Sequence, residues 1–160
     1  MALVLNLKRS LADVSDEDVQ IEVKKGVVYV SLSDKMLFNS GSATINSKAE
    51  AVLSKVAKIL NDYKDIEILI EGHTDTVPIA TDKFADNWDL SVIRATSVAR
   101  TLQKKYGVEA VRMIAGGRGE YLPKVANDSP ANRSMNRRTE IIITPKLDQF
   151  FNLYTPNAGK

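Results

Sequence analysis

Apolar residues recur at helical spacing in two long stretches of the chain, residues 47–62 and residues 87–106. Ser47 followed by Glu50 has the pattern of a capping box at the start of the first stretch, and Gly107 is placed to end the second. Both stretches therefore predict amphipathic helices that bury one face each. The positions that share a face are Ala49, Leu53, Val56, Leu60 and Tyr63 in the first helix, and Leu90, Arg94, Ala95, Val98 and Leu102 in the second.

Five shorter segments have the composition of strands, because they are rich in β-branched residues and several alternate apolar with polar positions. The first two are separated by a Lys-Lys-Gly turn and predict a hairpin or two sequential strands. The third is nearly continuous in its apolar character, which favours a strand buried on both faces. These segments are residues 19–23, 27–32, 66–72, 113–116 and 140–144.

The order of these elements predicts an α+β fold. Strands alternate with the two long helices as βαβαβ, which indicates a two-layer sandwich: a mixed sheet with helices packed on one face. Two helices are too few to cover both faces of a doubly wound sheet. We expect an N-terminal lead segment over 1–25 with a short helix near 2–12, one domain over 26–146, and a partly apolar tail over 147–160.

The composition of the chain narrows the range of possible functions. The net charge of the 160 residues is +2, which gives no reason to expect long-range attraction to nucleic acid. Three arginines between residues 132 and 138 make a local anion-binding or structural cluster, but they lack the interleaved aromatic residues of a nucleic-acid surface. No apolar run approaches the ~20 residues of a membrane helix. The chain has no cysteine, so it offers neither a disulfide nor a thiolate metal site.

Polar residues cluster where the third strand stops and where the second helix starts. His73 is the single histidine, and no Gly-x-Ser-x-Gly motif supplies a nucleophile for it. One histidine without cysteine cannot build the usual zinc shell either. We therefore expect a strand-end histidine that shares a hydrogen bond with its neighbours. No catalytic residue, metal site or cofactor is predicted, and the chain is not expected to be an enzyme.

Asp75 and Arg94 are the second candidate pair. If loop 76–86 folds back, the carboxylate and the guanidinium face one cleft, and Asn87 points the same way as Arg94 two helical turns earlier. One fixed anion, one fixed cation and an amide suit a zwitterionic ligand with an ammonium and a carboxylate on one carbon. An internal Asp75–Arg94 salt bridge that only holds the loop explains the same residues equally well.

Five short motifs, in this order along the chain, resemble those of the OmpA-like peptidoglycan-binding domain, and they span most of the sequence. The loop at Pro78 and the Asn87-Trp88 pair are most similar to the flagellar stator (MotB) branch of that family. The motifs are FNSGSA at 38–43, GHTD at 72–75, NWDLS at 87–91 with RA at 94–95, GRGE at 117–120, and NRRTE at 136–140.

The resemblance implies non-covalent binding of peptidoglycan through the meso-diaminopimelate of the stem peptide. Asp75 would receive the ammonium of that residue and Arg94 its carboxylate. Asn39 departs from the family pattern, where aspartate is common, and the loop between 75 and 87 is longer than in many members. The ligand-binding residues that the resemblance assigns are Asp75, Arg94, Asn87, Thr76, Asn39 and Arg137.

The resemblance also implies a cellular setting. We expect a periplasmic domain that ties an envelope protein to the cell wall of a Gram-negative bacterium, associated with the outer membrane through an anchor outside this sequence. A motor-linked, stator-type protein anchored in the inner membrane is the alternative. A homodimer is a further expectation. A wall hydrolase and a nucleic-acid-binding protein are weaker rivals, since no nucleophile pair and no broad basic face support them.

Overall fold

The computed structural model describes residues 2–145, and the tail predicted over 147–160 lies outside the described residues. Five strands form one sheet, and helices pack mainly against one of its faces. The predicted α+β class, with a mixed sheet and helices on one face, is confirmed. In chain order the elements are α1 (Ala2–Ser10), β1 (Val19–Lys24), β2 (Val27–Ser33), α2 (Asp34–Leu37), α3 (Ser47–Asp62), β3 (Ile66–His73), α4 (Asn87–Tyr106), a 3₁₀ turn (Ala110–Arg112), β4 (Met113–Gly117), α5 (Pro130–Asn136) and β5 (Arg138–Pro145).

The strands lie in the order β1-β2-β5-β3-β4. β1 and β2 form an antiparallel hairpin, the first of the two predicted alternatives, and β5 is antiparallel to both of its neighbours, β2 and β3. Only β3 and β4 are parallel, and α4 is the helix that connects them. Such a crossover is the usual connection between parallel strands. β5, the last strand within residues 2–145, therefore lies in the centre of the sheet and aligns elements that are distant in sequence.

The core lies between the sheet and the helices. Alternate residues of the three central strands point into it, and the predicted apolar stripes of α3 and α4 meet them there. Leu3, Leu7 and Leu11, from the segment predicted as a short N-terminal helix, are buried in the same core. Large side chains that are almost completely buried are Leu7, Leu32, Leu37, Leu53, Leu60, Ile68, Ile70, Leu102, Ile141 and Ile143.

One local prediction is wrong, and two short helices were missed. The capping box at Ser47 is absent: Asn46 is the N-cap of α3, and its side chain makes no capping hydrogen bond. The short helices α2 and α5 were not predicted, because four and seven residues are too few to show a helical period. Ser129 caps α5 by accepting a hydrogen bond from the amide of Asn132, and Pro130 occupies its first turn. This is a start signal that sequence reasoning could have used.

A polar network lies on the face of the sheet opposite α3 and α4. The carboxylate of Glu71 can only accept, so Nε2 of His73, 2.9 Å from Glu71 Oε1, donates that hydrogen bond. Glu140 Oε2 lies 3.7 Å from the same nitrogen. Arg118 and Arg138 hold the outer oxygens of the two carboxylates, at 3.3 and 3.2 Å. The predicted hydrogen bond of His73 to a neighbour is confirmed, and the residue is more deeply buried than expected, at 3% exposure.

Candidate ligand-binding site

One row of paired residues sets the position of the site. Ser33 of β2 pairs with Arg138 of β5, and Arg138 pairs with His73 of β3. The residues just beyond this row are Asp34, Arg137 and the pair Thr74-Asp75. Because β5 runs antiparallel to both neighbours, the start of β5 lies beside the ends of β2 and β3. Side chains of alternating charge therefore meet there, although they lie up to about a hundred positions apart in the chain.

Asp75 forms an ion pair with Arg137. Oδ2 of Asp75 accepts from Nη1 of Arg137 at 2.6 Å, and Oδ1 accepts from the amide of Val77 at 3.0 Å. The second bond turns the chain at the start of the 76–86 loop, as aspartate side chains commonly do. The Arg137 side chain is one-third exposed, whereas that of Asp75 is 9% exposed. Asp75 is thus a nearly buried anion whose cationic partner reaches it from the solvent side.

Arg94 is paired with Asp34, an aspartate that the sequence did not single out. Nη1 of Arg94 donates to Oδ1 of Asp34, and Nε donates to the carbonyl of Ser42 at 2.9 Å. Nη2 makes a longer contact of 3.4 Å with the carbonyl of Asn39. The guanidinium also lies over the ring of Phe38, with its carbon 4.8 Å from the ring centroid, a cation–π arrangement. Arg94 is therefore fixed in position on several sides.

The two ion pairs are linked. Nε of Arg137 lies 3.8 Å from Oδ2 of Asp34, so this guanidinium stands between the two carboxylates. Burial raises the pKa of Asp34 above its ordinary range, although Arg94 and Arg137 act in the opposite direction. Burial likewise lowers the pKa of Arg94, against the attraction of Asp34. The site thus keeps two anions and two cations together in a partly dehydrated environment, with Asp75 and Arg94 not bonded to one another.

The start of α4 is held tightly against the sheet. A Cβ added at Gly72 would lie 2.1 Å from the carbonyl oxygen of Ser91, so the helix backbone touches β3 directly. Asp86 caps the helix by accepting from the amide of Asp89 at 3.1 Å. Asn87 is buried, and its Nδ2 contacts the carbonyls of Asp75 and Val77 at 3.3 and 3.2 Å. This packing brings the helix start and the strand end together.

A cleft of about 490 Å³ opens between these groups. Both carboxylates and both guanidinium groups line it, so the predicted meeting of Asp75 and Arg94 at one cleft agrees with the geometry. The 76–86 loop contributes a partly apolar wall. The lining residues are Asp34, Lys35, Phe38, Ser40, Gly41, Thr74, Asp75, Val77, Pro78, Ile79, Asn87, Leu90, Arg94 and Arg137.

Two residues of the predicted set are not among those that line the cleft. Thr76 is exposed at the start of the loop, whereas its neighbour Thr74 is buried and lines the cleft. Asn39 is exposed, and its main-chain carbonyl is the group that contacts Arg94. Sequence reasoning missed Asp34 altogether. The available signal was an aspartate directly after a strand, a position equivalent to that of Asp75 after the third strand.

Comparisons with known proteins agree with this architecture. The sequence profile of the OmpA family matches residues 37–137. Motility protein B of Bacillus subtilis is 35% identical over 119 residues, which are 74% of this chain and 46% of that protein. Outer membrane porin F of Pseudomonas aeruginosa is 37% identical over 114 residues, 71% of this chain and 31% of that protein. The chain thus spans about half the length of motility protein B and a third of the porin.

Solved structures extend the likeness to nearly the whole chain. A putative MotB-like protein from Desulfovibrio vulgaris superimposes with a TM-score of 0.83 at 26% identity, covering 91% of this chain and 93% of that one. The cell wall anchor of the T6SS from Pseudomonas aeruginosa gives 0.79 at 34% identity, covering 88% and 97%. The resemblance predicted from the five motifs is confirmed. The chain belongs to the OmpA family, whose peptidoglycan-binding domains act as anchors and not as enzymes.

Proposed function

We propose that this domain binds peptidoglycan by holding the zwitterionic end of meso-diaminopimelate in the cleft between Asp75 and Arg94. The observation that carries the proposal is the pairing pattern. Asp75 and Arg94 face one open cleft, and each is bonded to another partner, Arg137 and Asp34 respectively. Had the two residues neutralised one another, the internal salt bridge would have been the simpler explanation. The similarity to a cell wall anchor supports the same proposal.

Arg94 retains donors for a ligand carboxylate. A guanidinium carries five N–H groups, and the protein uses three of them, on Nε, Nη1 and Nη2. Two donors therefore remain for a ligand that enters the cleft. Because Phe38, Asp34 and Ser42 already fix the guanidinium, little side-chain entropy is lost when the carboxylate binds.

Asp75 is suited to the ammonium group of the ligand. Its Oδ2 is shared with Arg137, whose side chain is one-third exposed and can turn toward solvent when the ammonium arrives. Asn87 donates to two loop carbonyls, which leaves its Oδ1 as an acceptor for a further ligand N–H. In this proposal Thr76 and Asn39 contribute from the rim of the cleft, after a movement of their loops.

The cellular role proposed first is a periplasmic tether between an envelope protein and the wall, with the anchor in the outer membrane. Porin F of Pseudomonas aeruginosa supports this version. The motor-linked version, with an inner-membrane anchor, is supported by motility protein B of Bacillus subtilis and by the MotB-like structure that covers 91% of the chain. Within residues 2–145, no helix is both long and apolar enough to cross a bilayer. Separating inner from outer membranes of cells that make the complete protein distinguishes the two versions.

Co-sedimentation with purified diaminopimelate-type peptidoglycan tests the binding proposal. Asp75→Asn keeps the shape of the side chain and removes its charge, and Arg94→Lys keeps a charge for Asp34 but removes the planar fork. We expect both to weaken binding by roughly 2–5 kcal/mol, as is usual when one partner of a desolvated charge pair is changed. Asp65→Ala and Arg100→Ala, at exposed positions, are the matched controls and should bind like the parent protein. Unchanged sedimentation of both site variants would reject the proposal.

A further inference from the structure

A second cavity adjoins the cleft. Its volume is about 400 Å³, and Lys35 and Arg137 line both spaces. Arg138 and Lys124 line the second cavity and not the cleft, as does Glu17, its one acidic lining residue among those that the structure describes. A ligand held between Asp75 and Arg94 could therefore continue past Arg137 into a cavity with a different charge balance.

Two of the four cations that line this second cavity have no close ion-pair partner among the described residues. Arg138 is paired with Glu140, and Arg137 is paired with Asp75. In contrast, neither Lys35 nor Lys124 has a carboxylate within 4.0 Å in the part of the chain that the structure describes. The cleft itself pairs two anions with two cations, and Lys35 is shared between the cleft and the adjoining cavity. The adjoining cavity instead offers two ammonium groups with no anion bound to them.

Lys124 is placed to bind an incoming anion. It reaches back from an exposed loop, so that its Nζ lies 3.3 Å from Oγ of Ser31 and 3.5 Å from Oε1 of Gln20. Neither of those neighbours carries a charge. Burial of the ammonium lowers the pKa of Lys124, and the nearby guanidinium of Arg138 acts in the same direction, whereas the carboxylates of Glu140 and Glu22 oppose the shift. A carboxylate bound there would offset both effects.

We infer that this cavity is a second subsite, which binds another carboxylate of the same stem peptide through Lys124 and Lys35. The inference rests on the proposed function, since it uses the diaminopimelate end as the fixed point. The residue that precedes diaminopimelate in such peptides is a γ-linked glutamate, whose α-carboxylate is free. It lies one residue from the group held in the cleft, and Arg137 separates the two spaces. The second subsite would make the domain bind a peptide better than it binds free diaminopimelate.

Calorimetric titration tests this with two probes, free meso-diaminopimelate and the tripeptide L-alanyl-γ-D-glutamyl-meso-diaminopimelate. Lys124→Gln and Lys124→Glu should leave the affinity for the free amino acid unchanged. They should weaken tripeptide binding by about threefold and about tenfold respectively, the range of a partly exposed ion pair and of its reversal. Lys104→Gln, an exposed lysine at the other end of α4, is the control and should change neither affinity.

A third probe identifies the carboxylate. This probe is the tripeptide in which the α-carboxylate of the glutamate is amidated. The parent protein should bind it about as weakly as Lys124→Gln binds the unmodified tripeptide. The inference would be overturned if the parent protein bound the acid tripeptide and the amidated tripeptide equally well. It would also be overturned if Lys124→Glu bound the acid tripeptide as tightly as the parent protein does. Both results would leave the proposed function intact if Asp75→Asn still abolished binding of free diaminopimelate. Failure of free diaminopimelate to bind the parent protein would instead reject the proposed function itself.

Discussion

Nη1 of Arg137 lies 2.6 Å from Oδ2 of Asp75, and the same guanidinium also faces Asp34. Arg137 is thus the most exposed member of the four-charge site, because its side chain is one-third exposed while those of its partners are 9% and 12% exposed. A ligand that takes Asp75 must compete with Arg137 or share the carboxylate with it.

We expect Arg137→Gln to weaken peptidoglycan binding by about tenfold, or roughly 1.4 kcal/mol, because in the proposed complex Arg137 shares Asp75 with the ligand ammonium and provides a cation for the ligand carboxylate. Stability should fall by only about 0–1 kcal/mol, the usual contribution of a partly exposed ion pair. Sedimentation with the wall and urea denaturation measure the two effects. Arg133→Gln, a change in the neighbouring short helix away from the cleft lining, serves as the control. Wild-type binding by Arg137→Gln would show that this arginine has no part in recognition.

The Arg94–Asp34 pair should couple binding to stability. From the sequence alone, Arg94→Ala is expected to leave the fold nearly intact. The structure changes that expectation, because Asp34, whose side chain is only 12% exposed, would lose its closest cation. We predict a loss of about 3–5 kcal/mol for Arg94→Ala, as for other broken buried pairs.

A double-mutant cycle with Asp34→Ala measures the coupling. The double variant should lose less stability than the sum of the single variants, by roughly 0.5–3 kcal/mol. Urea unfolding of the four proteins gives this quantity directly. Arg100→Ala, an exposed change on the same helix, should stay within about 0.5 kcal/mol of the parent protein. Simple additivity of Arg94→Ala and Asp34→Ala would contradict the ion pair described here.

The contact between Gly72 and Ser91 predicts that Gly72 cannot be replaced without a loss of stability. A methyl group at residue 72 would lie 2.1 Å from the Ser91 carbonyl, so α4 would have to move away from β3. We expect Gly72→Ala to cost about 3 kcal/mol or more, since the obstacle is backbone and not a flexible side chain. Gly116→Ala is the matched control: Gly116 pairs with Glu71, next to Gly72, and an added Cβ there meets nothing within 4 Å. Similar melting temperatures for the two variants would be inconsistent with this packing.

Glu71 gives a prediction about pH. The hydrogen bond from His73 lowers the pKa of the Glu71 carboxyl, burial opposes the shift, and Arg118 adds to it. A lowered pKa in the folded state means that the ionised group stabilises the fold above its ordinary pKa of about 4.3, and that this stability is lost as the pH falls through the lower value. At neutral pH the parent protein should therefore have a higher melting temperature than Glu71→Gln. The difference between the two melting temperatures should shrink below about pH 4.

Melting curves between neutral and acid pH measure this difference. Glu67→Gln, at an exposed position of the same strand, should differ little from the parent protein across the range. A difference between the parent protein and Glu71→Gln that stays constant down to strongly acid pH would contradict the assigned role of the carboxylate.

Much of the fold was predictable because its signals are local. The stripes of α3 and α4, the Gly107 C-cap and the Lys-Lys-Gly hairpin are each readable within about twenty residues, and all match the structure. The capping box failed because a Ser-x-x-Glu pattern does not fix which residue begins the helix. In α3 the chain enters the helix one residue earlier, at Asn46.

From spacing alone the site was only half predictable, for a different reason, although the family resemblance also assigned Arg137. Asp75 and Arg94 flank one loop, so a strand–loop–helix unit suffices to bring them together. Asp34 and Arg137 reach the same place only through the pairing of β2 and β5, where Ser33 lies opposite Arg138. No local pattern encodes that register. The ion-pair partners of Asp75 and Arg94 were consequently out of reach for an argument from spacing alone.

The row formed by Ser33, Arg138 and His73 has a consequence for protein engineering. Strand spacing of about 4.8 Å places the positions after this row at regular intervals, outside the core. Their charges can in principle be exchanged while the buried residues of β2, β3 and β5 stay unchanged. Residues 34, 75 and 137 are therefore natural positions at which to redesign the domain for other small molecules that carry both an amine and an acid.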